Sequence, residues 1–250
     1  MNVVALIQAR MTSRRLPNKV LLPIEGKTVL EHIYERLKYC KNLNEIVVAT
    51  SISSSDQLIV NLCKKNKIKY FRGNLEDVLD RYYKASIEYK ADAVVRITGD
   101  CPMIDPTIVD DVIKNYLKKD YDLFSLKGSF PDGLDCQVFS HSALERSWKE
   151  AILLSDREHV GTYIEKTSPV SFKIGGIEKF KNLSHFRWTL DEPRDYIFVK
   201  EVFRRLYKKK KIFLSDEILQ LLEKEPALMQ INKGIVRNQG YINSLKRDII

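Results

Sequence analysis

Residues 7–22 read IQARMTSRRLPNKVLL, and the fold can be worked outward from them. The stretch leaves an apolar run, Val3-Val4-Ala5-Leu6-Ile7, and turns at once into a polar segment. That segment carries Arg10, Arg14, Arg15 and Lys19 beside the hydroxyls of Thr12 and Ser13. It suits a polyphosphate. Guanidinium forks grip phosphate oxygens two at a time, a lysine adds a compact point charge, and backbone amides leaving a strand form anion-binding concavities. Pro17 stiffens the turn. Asn18 tolerates the left-handed conformation, which lets the chain double back and bring Lys19 towards the same anion as Arg10. Charge alone favours a plainer origin, a solvated basic loop.

At 250 residues, 44% hydrophobic and 30% charged, the chain has the balance of a soluble globular protein with a sizeable core. No apolar run approaches the roughly twenty residues that cross a bilayer, and the N-terminus has no signal-peptide pattern. A cytoplasmic protein without membrane insertion is expected. Cys40, Cys63, Cys101 and Cys136 are scattered, with no CxxC pair and no histidine at zinc spacing, which argues against disulfides and structural zinc. The net charge of +9 asks for an anionic partner. Nucleic acid, an anionic membrane surface and an acidic small substrate all satisfy it. The densest basic run, residues 208–211, follows a helical segment at 196–207, where cations meet the helix dipole favourably. No aromatic interleaving suggests a stacking surface for single strands.

After the first loop, Thr28 and Glu31 read as a capping box opening a helix with the stripe Leu30, Ile33 and Leu37. Apolar strands are expected at 45–50 and 68–71 with a helix at 55–65 between them. This βαβαβ alternation predicts an α/β fold: a mainly parallel twisted sheet, flanked by helices, with a ligand crevice at the carboxyl ends of the strands. Another strand at 93–97 runs into Thr98-Gly99-Asp100-Cys101-Pro102. A carboxylate there is placed to hold Mg²⁺, which takes one or two carboxylates together with phosphate oxygens and water. Thr107 is expected to cap a helix to residue 118. A strand follows at 122–126, then a turn and strand over 130–139 with Asp135 and Gln137 on one face, and a helix over 150–164. A short strand ends at Asp191, and Pro193 opens a helix at the position where proline fits best. Asp191 reads equally well as an N-cap. Helices at 215–224 and within 232–245 complete a single domain over residues 1–250, with a smaller excursion at about 127–185. No GxGxxG or GxxxxGK[ST] sequence is present, so neither a dinucleotide fold nor a P-loop is supported.

The wording of the first loop decides between the two origins. Ala9, Arg10, Ser13, Arg15, Leu16, Pro17 and Lys19 match the pattern ARxxSxRLPxK. The stretch thereby resembles the signature of the CTP-dependent sugar nucleotidyltransferases, the family of the 3-deoxy-manno-octulosonate and acylneuraminate cytidylyltransferases. It is most similar to the branch called spore coat polysaccharide biosynthesis protein F. Arg14 and Asn18 depart from the family's usual small hydroxyl residue and glycine. Gly99, Asp100 and Pro102 match the family's GDxP motif, and Asp191, Pro193 and Asp195 match its DxPxD element. Residues 131–135 (PDGLD) and 156–160 (DREHV) resemble signatures of the branch. The likeness extends over nearly the whole chain.

The resemblance implies a Rossmann-like sheet of the nucleotide-diphospho-sugar transferase type and a definite chemistry. A hydroxyl of an acidic sugar, of the ulosonic or nonulosonic type, would attack the α-phosphate of CTP. Pyrophosphate would leave, and the CMP-sugar would serve surface polysaccharide biosynthesis. Arg10, Lys19, Asp100 and Asp191 would be catalytic, with Mg²⁺ on Asp100 and Asp191. Ala9, Arg10, Ser13, Arg15, Lys19, Arg72, Gly73, Asp80, Arg81 and Thr98 would bind CTP, the segment at 72–81 framing the cytosine. The acceptor, needing a cation for its carboxylate, would draw on Arg157, His159 and Arg187, with Asp135 and Gln137 for hydroxyls. The excursion would shape this pocket or a homodimer interface. Competing expectations are a sister enzyme using another NTP and a sugar phosphate, a glycosyltransferase, and a non-catalytic nucleotide or nucleic-acid binding module. A glycosyltransferase would usually carry a DxD triplet, whereas Asp100 stands in Gly-Asp-Cys.

Overall fold

A computed structural model describes residues 1–248. Its centre is strand β1 (Val3–Gln8), apolar on both faces because both faces are covered. Side chains alternate across a strand. Val3, Ala5 and Ile7 accordingly enter one hydrophobic core, and Val4 and Leu6 the other. A two-stranded hairpin, β2 (Pro23–Ile24) and β3 (Lys27–Thr28), leads into helix α1 (Val29–Leu37). The Thr28 capping box is formed: Glu31 N donates to Thr28 Oγ1 at 3.2 Å and Thr28 N to Glu31 Oε2 at 2.7 Å.

Strand β4 (Glu45–Ser51), helix α2 (Gln57–Lys65), strand β5 (Lys69–Gly73), helix α3 (Val78–Glu88) and strand β6 (Ala93–Thr98) continue the expected alternation. Helix α4 (Pro106–Tyr116), strands β7 (Leu123–Lys127) and β8 (Gln137–Ser140), and helices α5 (His141–Glu150) and α6 (Leu154–Glu158) follow. Strand β9 (Ile174–Glu178) and helices α7 (Pro193–Leu206), α8 (Ser215–Lys224) and α9 (Gln239–Leu245) complete the order. The seven-stranded sheet runs β5-β4-β1-β6-β8-β7-β9. β1 pairs in parallel with β4 and β6, β4 with β5, and β7 with β9; β8 alone runs antiparallel to its neighbours β6 and β7. The α/β class with a mostly parallel sheet is as the sequence implies. Side chains of α1, α2, α4, α7 and α8 fill one core and those of α3 and α5 the other. Among the described residues no helix is long and apolar enough to cross a membrane.

Four local expectations are corrected. The short strand expected to end at Asp191 does not form: Arg187 makes a single bridge to Asp132, and the chain then runs as a loop into α7. Asp105, not Thr107, caps α4: it accepts Thr107 N at 2.9 Å and Thr107 Oγ1 at 2.7 Å, with Pro106 opening the helix. The second oxygen of the Asp105 carboxylate receives Ser215 N at 2.8 Å, tying α4 to α8. The helix expected over 150–164 is broken into the end of α5, short α6 and a π-turn at Tyr163–Thr167. Strands within the stretch read as an excursion belong to the main sheet, since β8 is hydrogen-bonded to β6.

Candidate active site

The carboxyl ends of β1 and β6 lie side by side, and the site is built between them. The loop leaving β1 is fastened first by Asp56. This wholly buried carboxylate accepts Met11 N at 2.8 Å, Ser51 Oγ at 2.5 Å and Thr50 Oγ1 at 3.2 Å. The loop then closes on itself, with Ser13 N and Asn18 N donating to Met11 O at 2.9 and 3.3 Å. Asn18 takes φ 58°, the left-handed conformation its short amide tolerates, and starts a 3₁₀ turn at Lys19–Leu21. At the end of β6, Gly99 is required by contact: a Cβ there would stand 2.6 Å from Gln8 O.

These two turns bring Lys19 to Asp100. The ammonium is 2.6 Å from Asp100 Oδ2 and 2.7 Å from Asp191 Oδ1. Asp191 arrives because Leu190 N donates to Asp100 O at 2.8 Å, lacing the two segments together. Glu192, not Asp191, caps α7 ahead of Pro193, which leaves the Asp191 carboxylate for Lys19. Arg15 joins the same cluster, 3.1 Å from Asp191 Oδ2 and 3.0 Å from Glu192 Oε1. Burial opposes both charges of the Lys19–Asp100 pair, yet attraction prevails: the Lys19 pKa is raised and that of Asp100 is held below the usual carboxylate range. Two carboxylates thus converge on one cation. Oxygen donors in this number suit Mg²⁺, which completes its shell with phosphate oxygens and water. No cluster of three or more His, Cys, Asp and Glu side chains among the described residues is arranged to hold a metal; at this site Asp100 and Asp191 would be the protein's donors.

Arg187 lies behind this cluster. It is 8% exposed and engages Asp195 Oδ1 and Oδ2 at 2.9 and 3.0 Å, Asp132 Oδ2 at 2.8 Å and Asp191 Oδ2 at 3.3 Å. Asp195 in turn accepts Asp191 N at 3.1 Å and Glu192 N at 2.9 Å. Arg187 therefore spends its donors on three protein carboxylates. Arg157 is similarly occupied, paired with Asp77 and donating to Trp148 O at 2.6 Å. Burial, together with Arg96, Arg10 and Arg247 nearby, pushes the His159 pKa down to about 4 against the pull of Glu158, so its imidazole is neutral at pH 7. None of these three offers a free cation to a substrate carboxylate in this arrangement.

The remaining expected nucleotide residues are spread over several segments. Arg10 faces Glu158 at 3.7 Å, and Ser13 Oγ accepts Leu16 N at 3.4 Å. Ala9 is buried, its N–H on Ala49 O at 3.2 Å. Thr98 Oγ1 lies 3.1 Å from Cys101 Sγ. Arg72 rivets the β4–α2 connection through Ser51 O, Ser53 O and Gln57 at 3.0, 2.9 and 2.9 Å. Gly73 abuts the Arg81 stem, where a Cβ would come within 3.0 Å of Arg81 Cγ. Arg81 is wholly buried, with all three guanidinium nitrogens lacking a hydrogen-bond partner. Asp80 accepts Trp148 Nε1 at 2.9 Å and pairs with Lys84 at 3.0 Å. Asp135 and Gln137, expected on one face, line a common cavity with Thr98. Asp56, Arg96, Asp132, Glu165 and Glu192 complete these contacts without being among the expected site residues. For Arg96 a signal existed, a charged residue inside the apolar run of β6; the others sit in ordinary polar segments.

A basic loop after the first strand and a lysine clamped between Asp100, at the end of β6, and Asp191, in the loop before α7, stand on a mostly parallel sheet of the kind nucleotidyltransferases use. The chain belongs to the cytidylyltransferase family, whose model matches residues 4–240. It is similar to an uncharacterized protein of Methanocaldococcus jannaschii, 38% identical over 96% of this chain and 98% of that protein. It is also similar to spore coat polysaccharide biosynthesis protein SpsF of Bacillus subtilis, 29% identical over 90% of this chain and 95% of the relative. Among solved structures it resembles a cytidylyltransferase from Leptospira borgpetersenii, with a TM-score of 0.88 and 33% identity over 95% of this chain and 100% of that one. The chain is accordingly a CTP-dependent nucleotidyltransferase.

Proposed function

We propose that this enzyme transfers CMP from CTP to an acidic sugar of the ulosonic or nonulosonic type, releasing pyrophosphate, in the synthesis of a surface glycan. The observation that carries the reading is the convergence of Lys19, Asp100 and Asp191 beside the loop of Arg10, Ser13 and Arg15. Phosphoryl-type transfer asks little covalent work of a protein and depends on positioning and neutralised charge. Arg10, Arg15 and Lys19 supply that charge for the triphosphate. Asp100 and Asp191 would hold Mg²⁺, which supplies further neutralisation of the reacting phosphates when bound. In the free enzyme Lys19 keeps the two carboxylates together; with CTP present its ammonium is placed to turn to a phosphate. The acidic acceptor is favoured by the likeness to octulosonate and acylneuraminate cytidylyltransferases described above, and by a polar cavity beside Thr98.

Pyrophosphate release tests this, measured with each of the four NTPs and Mg²⁺ against ulosonic acids, nonulosonic acids and sugar phosphates. CTP with an acidic sugar should give turnover. Turnover only with another NTP, or only with a sugar phosphate, would replace the reading with the sister-enzyme alternative.

A further inference from the structure

A cavity of about 170 Å³ opens at the carboxyl ends of β6 and β7, lined among others by Arg96, Thr98, Ser125, Asp135, Gln137 and Glu165. It lies on the reaction side, because Thr98 directly precedes Gly99 and Asp100. Its charges are unevenly satisfied. Glu165 is neutralised by Lys127 at 2.8 Å, and Asp135 faces Arg237 at 3.8 Å. Arg96 has no ion-pair partner among the described residues; it donates from Nη1 to the neutral Gln137 Oε1 at 3.0 Å and lies against the buried Tyr82 phenol. Its Nε is buried without a partner, and so is the Ser125 hydroxyl in the same cavity. Buried polar atoms are normally paired, so orphans lining a polar cavity point to a ligand.

We infer that Arg96 is the carboxylate anchor of the acceptor subsite, with Ser125 as a second donor. This rests on the acidic-acceptor reading above and names the group that recognises the acid. Nε is buried without a partner and Nη1 is spent on Gln137, so the guanidinium keeps donor capacity that suits a carboxylate. Gln137 holds the opposite side, itself fixed by Glu165 at 3.1 Å and by the close backbone of Gly161, where a Cβ would stand 2.9 Å from Gln137 Nε2. The oxygens of Asp135, Gln137 and Glu165 then face a polyhydroxylated chain. The class of ligand is therefore a sugar acid, its carboxylate on Arg96 and its hydroxyls on the acidic rim.

The test compares 3-deoxy-manno-octulosonic acid and N-acetylneuraminic acid with their methyl esters as acceptors, in the full-length wild type and in Arg96→Met, Arg96→Lys and Ser125→Ala. The wild type should prefer free acids. Arg96→Met should raise the acceptor KM for the acid by at least about tenfold, abolish the preference over the ester and leave the CTP KM unchanged. Arg96→Lys should recover only part of the preference, and Ser125→Ala should weaken the acid more than the ester. A CTP-induced rise in melting temperature in each variant shows that the fold and the nucleotide site persist. Wild-type turnover of a free acid with an undiminished preference in Arg96→Met, or with a CTP KM that rises in step, overturns the anchor while sparing the acidic-acceptor reading. Wild-type turnover restricted to acceptors without a carboxylate overturns both.

Discussion

The Lys19 ammonium lies 2.6 Å from Asp100 Oδ2 across 81 positions of sequence. The contact exists because β1 and β6 are parallel neighbours, so the turns that end them open side by side. It makes the carboxylate of Asp100 a structural partner as well as the group proposed above to hold Mg²⁺. Asp100→Asn keeps the shape and removes the charge. Pyrophosphate release should fall by about 10²–10³ or more, with the melting temperature still showing a folded protein. Turnover close to wild type would remove Asp100 from the mechanism.

Lys19→Met separates the two roles of the cluster. Without the ammonium, Asp100 and Asp191 face each other uncompensated, and the free enzyme should lose about 1–3 kcal/mol of stability. A divalent cation is then the natural replacement. Mg²⁺ without nucleotide should raise the melting temperature of Lys19→Met more than that of the wild type, on a scale of about 2–4 °C per kcal/mol for a chain of this size. An equal effect of Mg²⁺ on both proteins would argue that Asp100 and Asp191 do not take the metal.

Much of this arrangement was legible beforehand. The apolar runs of β1, β4 and β6, with motifs following β1 and β6, mark the sheet and its ligand edge, and Asn18 announces the left-handed turn it makes. What stayed hidden depends on partners distant in sequence. Asp105 outcompetes Thr107 as a cap because it also serves Ser215, more than a hundred residues on, and no local pattern carries that. Gln137 and Arg96 meet only because β8 inserts antiparallel beside β6, a strand order that periodicity cannot supply. Arg187 looks like a substrate cation in sequence; three carboxylates brought together by folding occupy it.

Arg187 is consequently expected to act through Asp191. It grips Asp195, which holds the backbone N–H groups of Asp191 and Glu192, and it touches Asp191 itself. Arg187→Met leaves Asp132, Asp191 and Asp195 without their shared cation and should cost about 3–5 kcal/mol of stability. Arg187→Lys preserves charge but not the two-pronged contact with Asp195. It should lower kcat by about tenfold or more while the KM values for CTP and acceptor move together. A selective rise in the acceptor KM would instead place Arg187 against the substrate.

His159 supplies a prediction in pH. Its Nε2 is buried without a partner, its ring stands edge-on to Tyr241 with centroids 5.3 Å apart, and burial together with nearby arginines lowers its pKa from 6.5 to about 4. Between those values the unfolded chain binds the proton and the folded chain does not. Stability should therefore fall as pH drops from about 6.5 towards 4, by about 1–3 kcal/mol from this group. Asp100, whose pKa is lowered to about 2, adds to acid destabilisation only below the ordinary carboxylate range near 3.8, so the two windows separate. His159→Phe keeps an aromatic edge against Tyr241 and forfeits no hydrogen bond at Nε2. Denaturant midpoints measured from pH 7 to pH 4.5 should show a shallower loss in the variant than in the wild type. Parallel pH profiles would mean that His159 titrates alike in both states and contributes nothing to the acid sensitivity.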